Sequence, residues 1–283
     1  MDLNLEQLVK QAQAGDKFAL EHVVEQIQNK VYGLALRMLW HPEDARDASQ
    51  EILVRVITHL GSFKGKSKFT TWVYQVAANY LRTARKSRME QQRYAFERFG
   101  YELDEGLSEA PIQNENQIDE ALLLEEVKIG CTLGMLLCLD RQHRLAYILG
   151  DILELPSPEA AAIMEIKPAT FRKRLSRARA EIIHFTSRKC GLVNSRNACR
   201  CRRRVNYALQ SQRIDPGRLL FAHNLERARR FPEVLREIRK LEEAQRVVAL
   251  YRSHPAYAVP GSFIAMVKDL IKMQNLSASE GSA

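Results

Sequence analysis

Residues 41–88 read HPEDARDASQEILVRVITHLGSFKGKSKFTTWVYQVAANYLRTARKSR, and the rest of the chain can be placed around them. Ala45, Ala48, Ile52, Val56 and Leu60 recur at three- and four-residue steps, which predicts one buried helix face. Pro42 suits the first turn, Glu43 and Asp44 sit at the positive end of the helix, and Gly61 stops it. Asp44, Asp47 and Glu51 form an acidic stripe opposite the apolar face. The loop 62–68 carries Lys64, Lys66 and Lys68 around Gly65. A second helix is expected from about Thr70 to Arg85, with Phe69, Trp72, Val73, Val76 and Tyr80 along one face and Arg82, Arg85, Lys86 and Arg88 at its end. The stretch holds no catalytic constellation. Its charge pattern suits a module that grips a protein partner with one face and nucleic acid with the other.

Composition agrees. The chain has 283 residues, 46% hydrophobic, with a formal net charge of +9, so it can build two or three cores and favours polyanionic partners. The N-terminus, MDLNLEQLVKQAQAGD, lacks the pattern of a secretory signal, and no apolar run is long enough to span a bilayer. A cytoplasmic chain is expected, with no membrane partner. Five unevenly spaced cysteines argue against a secreted disulfide framework.

Upstream, Leu5, Leu8 and Val9 begin a helical pattern that Gly15-Asp16 interrupts, with Asp16 placed to cap a long helix through Met38. Downstream, about Gly100 to Asn116 is rich in Glu and Asp and reads as an exposed acidic linker. Helical periodicity returns at Ile118 and runs to about Leu139, followed by short helices at about 140–154, 158–164 and 168–186. The last two have the layout of a helix-turn-helix. On the final one Phe171, Leu175 and Ala178 face inward. Arg172, Lys173, Ser176 and Arg177 then project outward, with Thr170 near the helix N-terminus, and are candidates for duplex DNA, the helix lying in the major groove. The plain alternative is a solvated basic helix. For the aromatic helix, the plain reading makes Trp72 part of the core. The sharper one has Tyr74 and Asn79, off that face, take unpaired bases while Lys64, Lys66 and Lys68 hold phosphates, with Arg82 of the basic stretch a further DNA-binding candidate. No strand-period segment is evident, so the fold class expected is all-α.

Taken together these segments resemble the extracytoplasmic-function sigma factors of bacterial RNA polymerase, over about residues 10–186. DARDASQEILVRVITHL is similar to the family's region 2.2, SKFTTWVYQVAANYLR to regions 2.3 and 2.4, and LDRQHRLAYILGDILELPSPEAAAIMEIKPATFRKRLSRAR to region 4. The resemblance implies region 2 over 1–98, a linker over 99–117, region 4 over 118–188, and an extension over 189–283. It implies a non-enzymatic initiation factor whose partners are core polymerase, promoter DNA and, for some members, an anti-sigma factor. Asp47, Gln50 and Glu51 would meet the polymerase clamp. The loop 62–68 with Asn79 would open the minus-ten element. Thr170, Arg172, Lys173 and Arg174 would read the minus-thirty-five element, and the acidic linker would thread toward the RNA exit path. The sequence departs from the family where Ala48 and Ser49 replace a larger apolar pair, where Lys167 replaces a capping Ser, and where Glu165 replaces a turn Gly.

Beyond the resemblance, residues 217–230, 232–252 and 261–273 are expected to be helical, divided by Phe231-Pro232 and HPAYAVPG. Cys190, Cys199 and Cys201, with His184 as a fourth candidate, offer ligands for zinc or another thiolate-bound metal. Unpaired thiols in a basic loop are the plain alternative. Arg200, Arg202, Arg203 and Arg204 would lower the thiol pKa values and favour redox sensing. Cys131 and Cys138 are expected in the core. The extension is expected to form a helical domain that packs on region 2 or region 4 and regulates in cis. The rival readings are a polymerase-independent helix-turn-helix regulator, a metalloenzyme built on the cysteines, and a sensor with vestigial DNA-binding parts.

Overall fold

The computed structural model describes residues 4–84, 90, 95–113, 117–265 and 268–269. Arg85, Lys86, Arg88, Glu115 and positions 266–267 and 270–273 of the expected helix 261–273 lie outside the described residues. The described residues are helical, apart from turns and one isolated parallel bridge between Cys190 and Cys199. No described helix is long and apolar enough to cross a membrane. The chain divides into two units.

The first unit comprises Met1–Arg85, Pro158–Pro168 and Ala256–Ala283. Its helices start where local chemistry dictates. Asp16 accepts from the amides of Phe18 (2.9 Å) and Ala19 (3.1 Å) and opens α2, Lys17–Leu39, after the short α1, Leu5–Gln13. His41 caps α3, Pro42–Thr58, with Pro42 in the first turn. α3 ends at Thr58, and a 3-10 turn at Leu60–Ser62 leads into the lysine loop. α4 is Phe69–Thr83. Val23, Val24, Ile27, Val31 and Leu34 of α2 form the core with Ile52, Leu53 and Val56 of α3 and Phe69, Ala77 and Leu81 of α4, all 1% exposed or less. The small pair Ala48 and Ser49 is buried too, and Ser49 Oγ donates to the Ala45 carbonyl at 2.6 Å.

The second unit comprises Lys86–Ser157 and Ala169–Pro255. Its helices are α5 (Phe96–Glu105), α6 (Glu120–Leu137), α7 (Arg141–Tyr147), α9 (Pro168–Lys189), α10 (Cys201–Gln210), α11 (Leu225–Lys240) and α12 (Glu243–Arg252). α8 (Ser157–Ile163) precedes α9 in the chain. α6 is the central element. Its Leu123 and Val127 pack with Val205 and Ala208 of α10 and with Ile214. Buried Glu126 accepts from three successive backbone amides, Leu220 (2.7 Å), Phe221 (2.8 Å) and Ala222 (2.8 Å), and so anchors the loop before α11. Buried Arg144 of α7 donates to the carbonyls of Leu136 and Leu139, both at 2.9 Å, and closes the end of α6. A π-helical turn, Ile148–Ile152, follows α7.

Three expectations are corrected. Residues 100–105 belong to α5, because Phe99 and Leu103 make an apolar stripe and are each 4% exposed. The arginine-rich run after Cys199, for which a basic loop is the plain alternative, is helical from Cys201, since Val205 and Ala208 find α6 to pack on. Pro232 lies inside α11 instead of dividing it; Phe231 beside it covers the Lys128 ammonium, 3.6 Å from the ring centre.

Candidate nucleic-acid interface

On α3 the buried Ala45, Ala48, Ile52 and Val56 turn Asp44, Asp47, Gln50 and Glu51 outward, and all four are exposed. Tyr80 of α4 lies near this stripe, with the Arg55 guanidinium 4.9 Å from its ring centre. Burial raises the Tyr80 pKa, and Glu51 and Asp47 push it in the same direction. The stripe presents a row of carboxylates and an amide on a rigid helix, a surface complementary to a basic partner.

The loop beside it is fixed at its root. Gln13 Nε2 donates to the carbonyls of Leu60 and Phe63, both at 2.9 Å. Phe63, Phe69 and Trp72 form an aromatic cluster with ring centres 5.3–5.6 Å apart. Trp72 is half-buried there and braces the helix, as its position predicts. Lys64, Lys66 and Lys68 are exposed above this base, and Gly65 supplies the left-handed residue (φ 68°) of the turn. The buried face of α4 is Phe69, Val73, Ala77 and Leu81, with Thr71 and Ala78, so Val76 and Tyr80 are only half-buried. The expected stripe is therefore rotated by about one position. Asn79 is half-buried, and its side-chain Oδ1 has no hydrogen-bond partner. That oxygen is buried, and Asn79 stands about three helical turns along α4 from Lys68. Arg82 is half-buried, with one guanidinium nitrogen 3.3 Å from the Met164 carbonyl.

In the second unit, Phe171, Leu175 and Ala178 of α9 are buried as the spacing predicts. Arg172, Lys173 and Arg177 are exposed, while Thr170 and Arg174 are half-buried. Gly150 lets the π-helical turn approach α9; a Cβ there would stand 2.7 Å from Leu175. Arg179 is already engaged, with Nε 2.8 Å and 3.0 Å from the two Asp151 oxygens. That leaves a basic strip over the first three turns of α9.

The cysteines do not form the expected centre. Among the described residues no group of three His, Cys, Asp or Glu side chains could hold a metal ion. The thiols are near enough to act on one another, Cys190 and Cys199 both raising the Cys201 pKa. Cys190 accepts from the Leu192 and Val193 amides, Cys201 packs against the α6–α10 core, and His184 Nε2 lies 3.3 Å from Arg188. The expected lowering of thiol pKa is also overturned. Burial pushes Cys190 up against Arg200, Cys199 up to about 11 against Arg204 and Arg200, and Cys201 up against Lys128. Cys131 is likewise raised by burial, and then by Cys199, Cys190 and Cys201.

Sequence reading missed the use to which the basic extension is put. Asn206, 6% exposed, accepts from the Gln113 amide (2.9 Å) and donates to the Pro111 carbonyl (3.0 Å). The Ser108 amide donates to the Arg203 carbonyl (2.9 Å), and Arg204 donates to the Glu102 carbonyl (2.8 Å). Ion pairs join Arg213 to Glu102, Arg203 to Glu109, Lys189 to Asp104 and Arg202 to Glu120. The acidic segment 102–113 is held along α10. Opposite charge in the two runs is the signal that could have paired them.

Two family models match the chain: Sigma-70 region 2 over residues 23–90 and Sigma-70, region 4 over residues 129–182. Neither reaches beyond residue 182. The chain is 32% identical over 182 residues to the ECF RNA polymerase sigma-E factor of Escherichia coli, covering 62% of this chain and 90% of the relative. It is 30% identical over 182 residues to the RNA polymerase sigma-H factor of Pseudomonas aeruginosa, covering 62% and 91%. It is 27% identical over 187 residues to the ECF RNA polymerase sigma factor SigW of Bacillus subtilis, covering 63% and 95%. Among solved structures, CnrH in complex with the cytosolic domain of CnrY matches with a TM-score of 0.41 and 23% identity, covering 62% of this chain and 91% of that one.

Proposed function

The chain belongs to the extracytoplasmic-function sigma factors of RNA polymerase, and from that premise we propose how its parts divide the work. It is a transcription initiation factor that binds core polymerase and directs it to promoters. It acts in the cytoplasm and catalyses no reaction of its own. Residues 1–98 form region 2 and residues 118–188 region 4, with the linker between them and a regulatory extension from 189.

Asp47, Gln50 and Glu51 meet the basic clamp of the polymerase. The observation that carries this is their joint exposure on α3 directly opposite its buried face. Lys64, Lys66, Lys68, Asn79 and Arg82 take the minus-ten strand, the cations holding phosphates and the Asn79 amide a base edge. Thr170, Arg172, Lys173, Arg174 and Arg177 meet the minus-thirty-five duplex from the major groove, with α9 as the reading helix. The extension regulates in cis by holding the acidic linker along α10, away from the polymerase channel that it would otherwise enter. Asn206 and the ion pairs of Arg203 and Arg213 support that reading. An anti-sigma factor is a further partner, bound in competition with polymerase.

Run-off transcription with bacterial core polymerase on a promoter library tests the main reading. Promoter-dependent transcripts are expected from the wild type, and Asp47→Ala with Glu51→Ala should lower core binding while leaving the fold intact. A protein that binds duplex promoter tightly alone, and gives no transcript with core, would favour a polymerase-independent regulator. Residues 190–283 are best left in place, because their removal bares Leu123 and Val127.

A further inference from the structure

A pocket of about 460 Å³ lies inside the second unit, between α6, α11 and the end of α12. That volume falls in the range of small-molecule sites, about 300–1,000 Å³. Every residue lining it stands outside 23–90 and 129–182, the stretches that match the two Sigma-70 models. The pocket therefore belongs to what this chain adds to the family's architecture.

Its wall carries an ion pair that packing alone does not call for. Glu125 and Lys128 stand three residues apart on α6, 4% and 2% exposed, and Lys128 Nζ donates to Glu125 Oε2 at 2.6 Å. A buried ion pair is often no more stabilising than two apolar side chains of similar volume. Lys128 is well accommodated, since the Phe231 ring covers its ammonium. The carboxylate is not. Its Oε1 is buried and has no hydrogen-bond partner. Arg227 Nε, at 3.8 Å, is too far away to donate. A buried acceptor left open forfeits the bond that water gave it in the unfolded chain. Glu125 lines the pocket, so a donor entering the pocket can supply that bond.

The remaining charged lining is mostly cationic. Arg227, Arg230 and Arg252 face the pocket with one further carboxylate, Glu226. Arg227 donates to the Ser253 carbonyl, and Arg252 Nε donates to the Asp151 carbonyl at 2.8 Å, so both guanidiniums are held in place. Arg230 is exposed on the rim. A guanidinium presents N–H groups in a fork that matches a carboxylate or a phosphate. One buried acceptor and a group of guanidiniums line the same pocket. A molecule that carries both an N–H donor and an acid answers both.

We propose that this pocket binds a small amphoteric ligand, with its ammonium or amino N–H on Glu125 Oε1 and its carboxylate or phosphate on Arg230 and Arg227. The extension is thereby a receptor for a small metabolite, and a ligand seated there touches α6 and α11 at once. Free α-amino acids and nucleoside monophosphates both have the required chemistry. The proposal does not rest on the reading of the DNA-binding faces.

The test is calorimetric titration of the full chain without polymerase. The probes are the proteinogenic amino acids and the common ribonucleoside monophosphates, each added singly up to about 1 mM, the weak end of ordinary small-ligand affinities. Saturable binding of a member of one set is expected, and the set that responds identifies the source of the ligand. Arg230→Ala changes an exposed side chain and should weaken that binding at least about tenfold, the worth of one charge-assisted contact. Arg196→Ala, an exposed cation elsewhere in the extension, should bind as wild type does. Glu125→Leu with Lys128→Met removes both buried charges together, strands neither, and should abolish binding. No saturable binding from either set overturns the proposal. Unchanged affinity in the Arg230→Ala protein overturns it as well, and that result decides the matter even where the double variant fails to fold.

Discussion

Asn206→Ala should release the acidic linker. The side chain bridges two backbone groups of the linker, the Gln113 amide and the Pro111 carbonyl, and is itself 6% exposed. Each lost bond is worth about 1–1.5 kcal/mol, so local opening of residues 106–113 becomes easier by roughly 2–3 kcal/mol. At a factor of ten per 1.4 kcal/mol, the open population rises by about 30- to 150-fold. Glu109 lies on this segment, so cleavage after it by a glutamate-specific protease reports opening. At low protease concentration the cleavage rate follows the open population, and it should rise by the same factor. Cleavage after Glu233, exposed on α11 far from the clamp in sequence, serves as the internal reference. A variant cut after Glu109 at the wild-type rate would refute the clamp as an energetic element, however good its geometry.

Other substitutions probe separate parts. Glu126→Ala strands the amides of Leu220, Phe221 and Ala222, two of them buried, and should cost about 3 kcal/mol in urea unfolding once the relief of burying a carboxylate is allowed for; a change under about 0.5 kcal/mol would contradict it. Cys199 is held at about 11 against an ordinary value of 9.0, so its thiolate fraction at pH 8 is about 100-fold lower than in the unfolded chain, and alkylation followed by mass spectrometry should show native Cys199 reacting slower by that factor. Because the folded pKa is the higher, the associated stability is present below pH 9.0 and is lost as pH rises from 9.0 to about 11. Arg172→Ala and Lys173→Ala should each flatten the salt dependence of duplex binding by about 0.9 in log–log slope; an unchanged slope would remove α9 from the phosphate contact.

The parts legible in the sequence are those fixed by neighbours in the chain. Asp16 caps α2 and Pro42 starts α3 through atoms two or three residues away, so the local reading and the structure coincide. The inward face of α9 follows from periodicity alone. α10 was invisible because Arg202, Arg203 and Arg204 mask its short apolar stripe; it is helical because Val205 and Ala208 reach α6, a contact made across the fold. The cysteines were misjudged for a related reason. Arg200 and Arg204 do lower the Cys199 pKa, but the cost of burying a thiolate is larger, and sequence does not show burial. The pairing of Glu159 and Glu165 with α4 joins residues 88 and 90 positions apart, which no local pattern encodes.

The linker clamp also fixes a concentration scale. Whatever needs the linker free meets only the fraction of molecules in which α10 has let it go, so its apparent dissociation constant is its intrinsic one divided by that fraction. A clamp closed in 29 of every 30 molecules, for example, raises half-saturation about 30-fold. Much of the clamp is ion pairing between partly exposed side chains, as between Arg203 and Glu109, 34% and 72% exposed. Such pairs weaken as ionic strength rises. The protein's response threshold is thus tied to the salt around it, and the same number of molecules sits nearer to half-saturation in a concentrated electrolyte than in a dilute one.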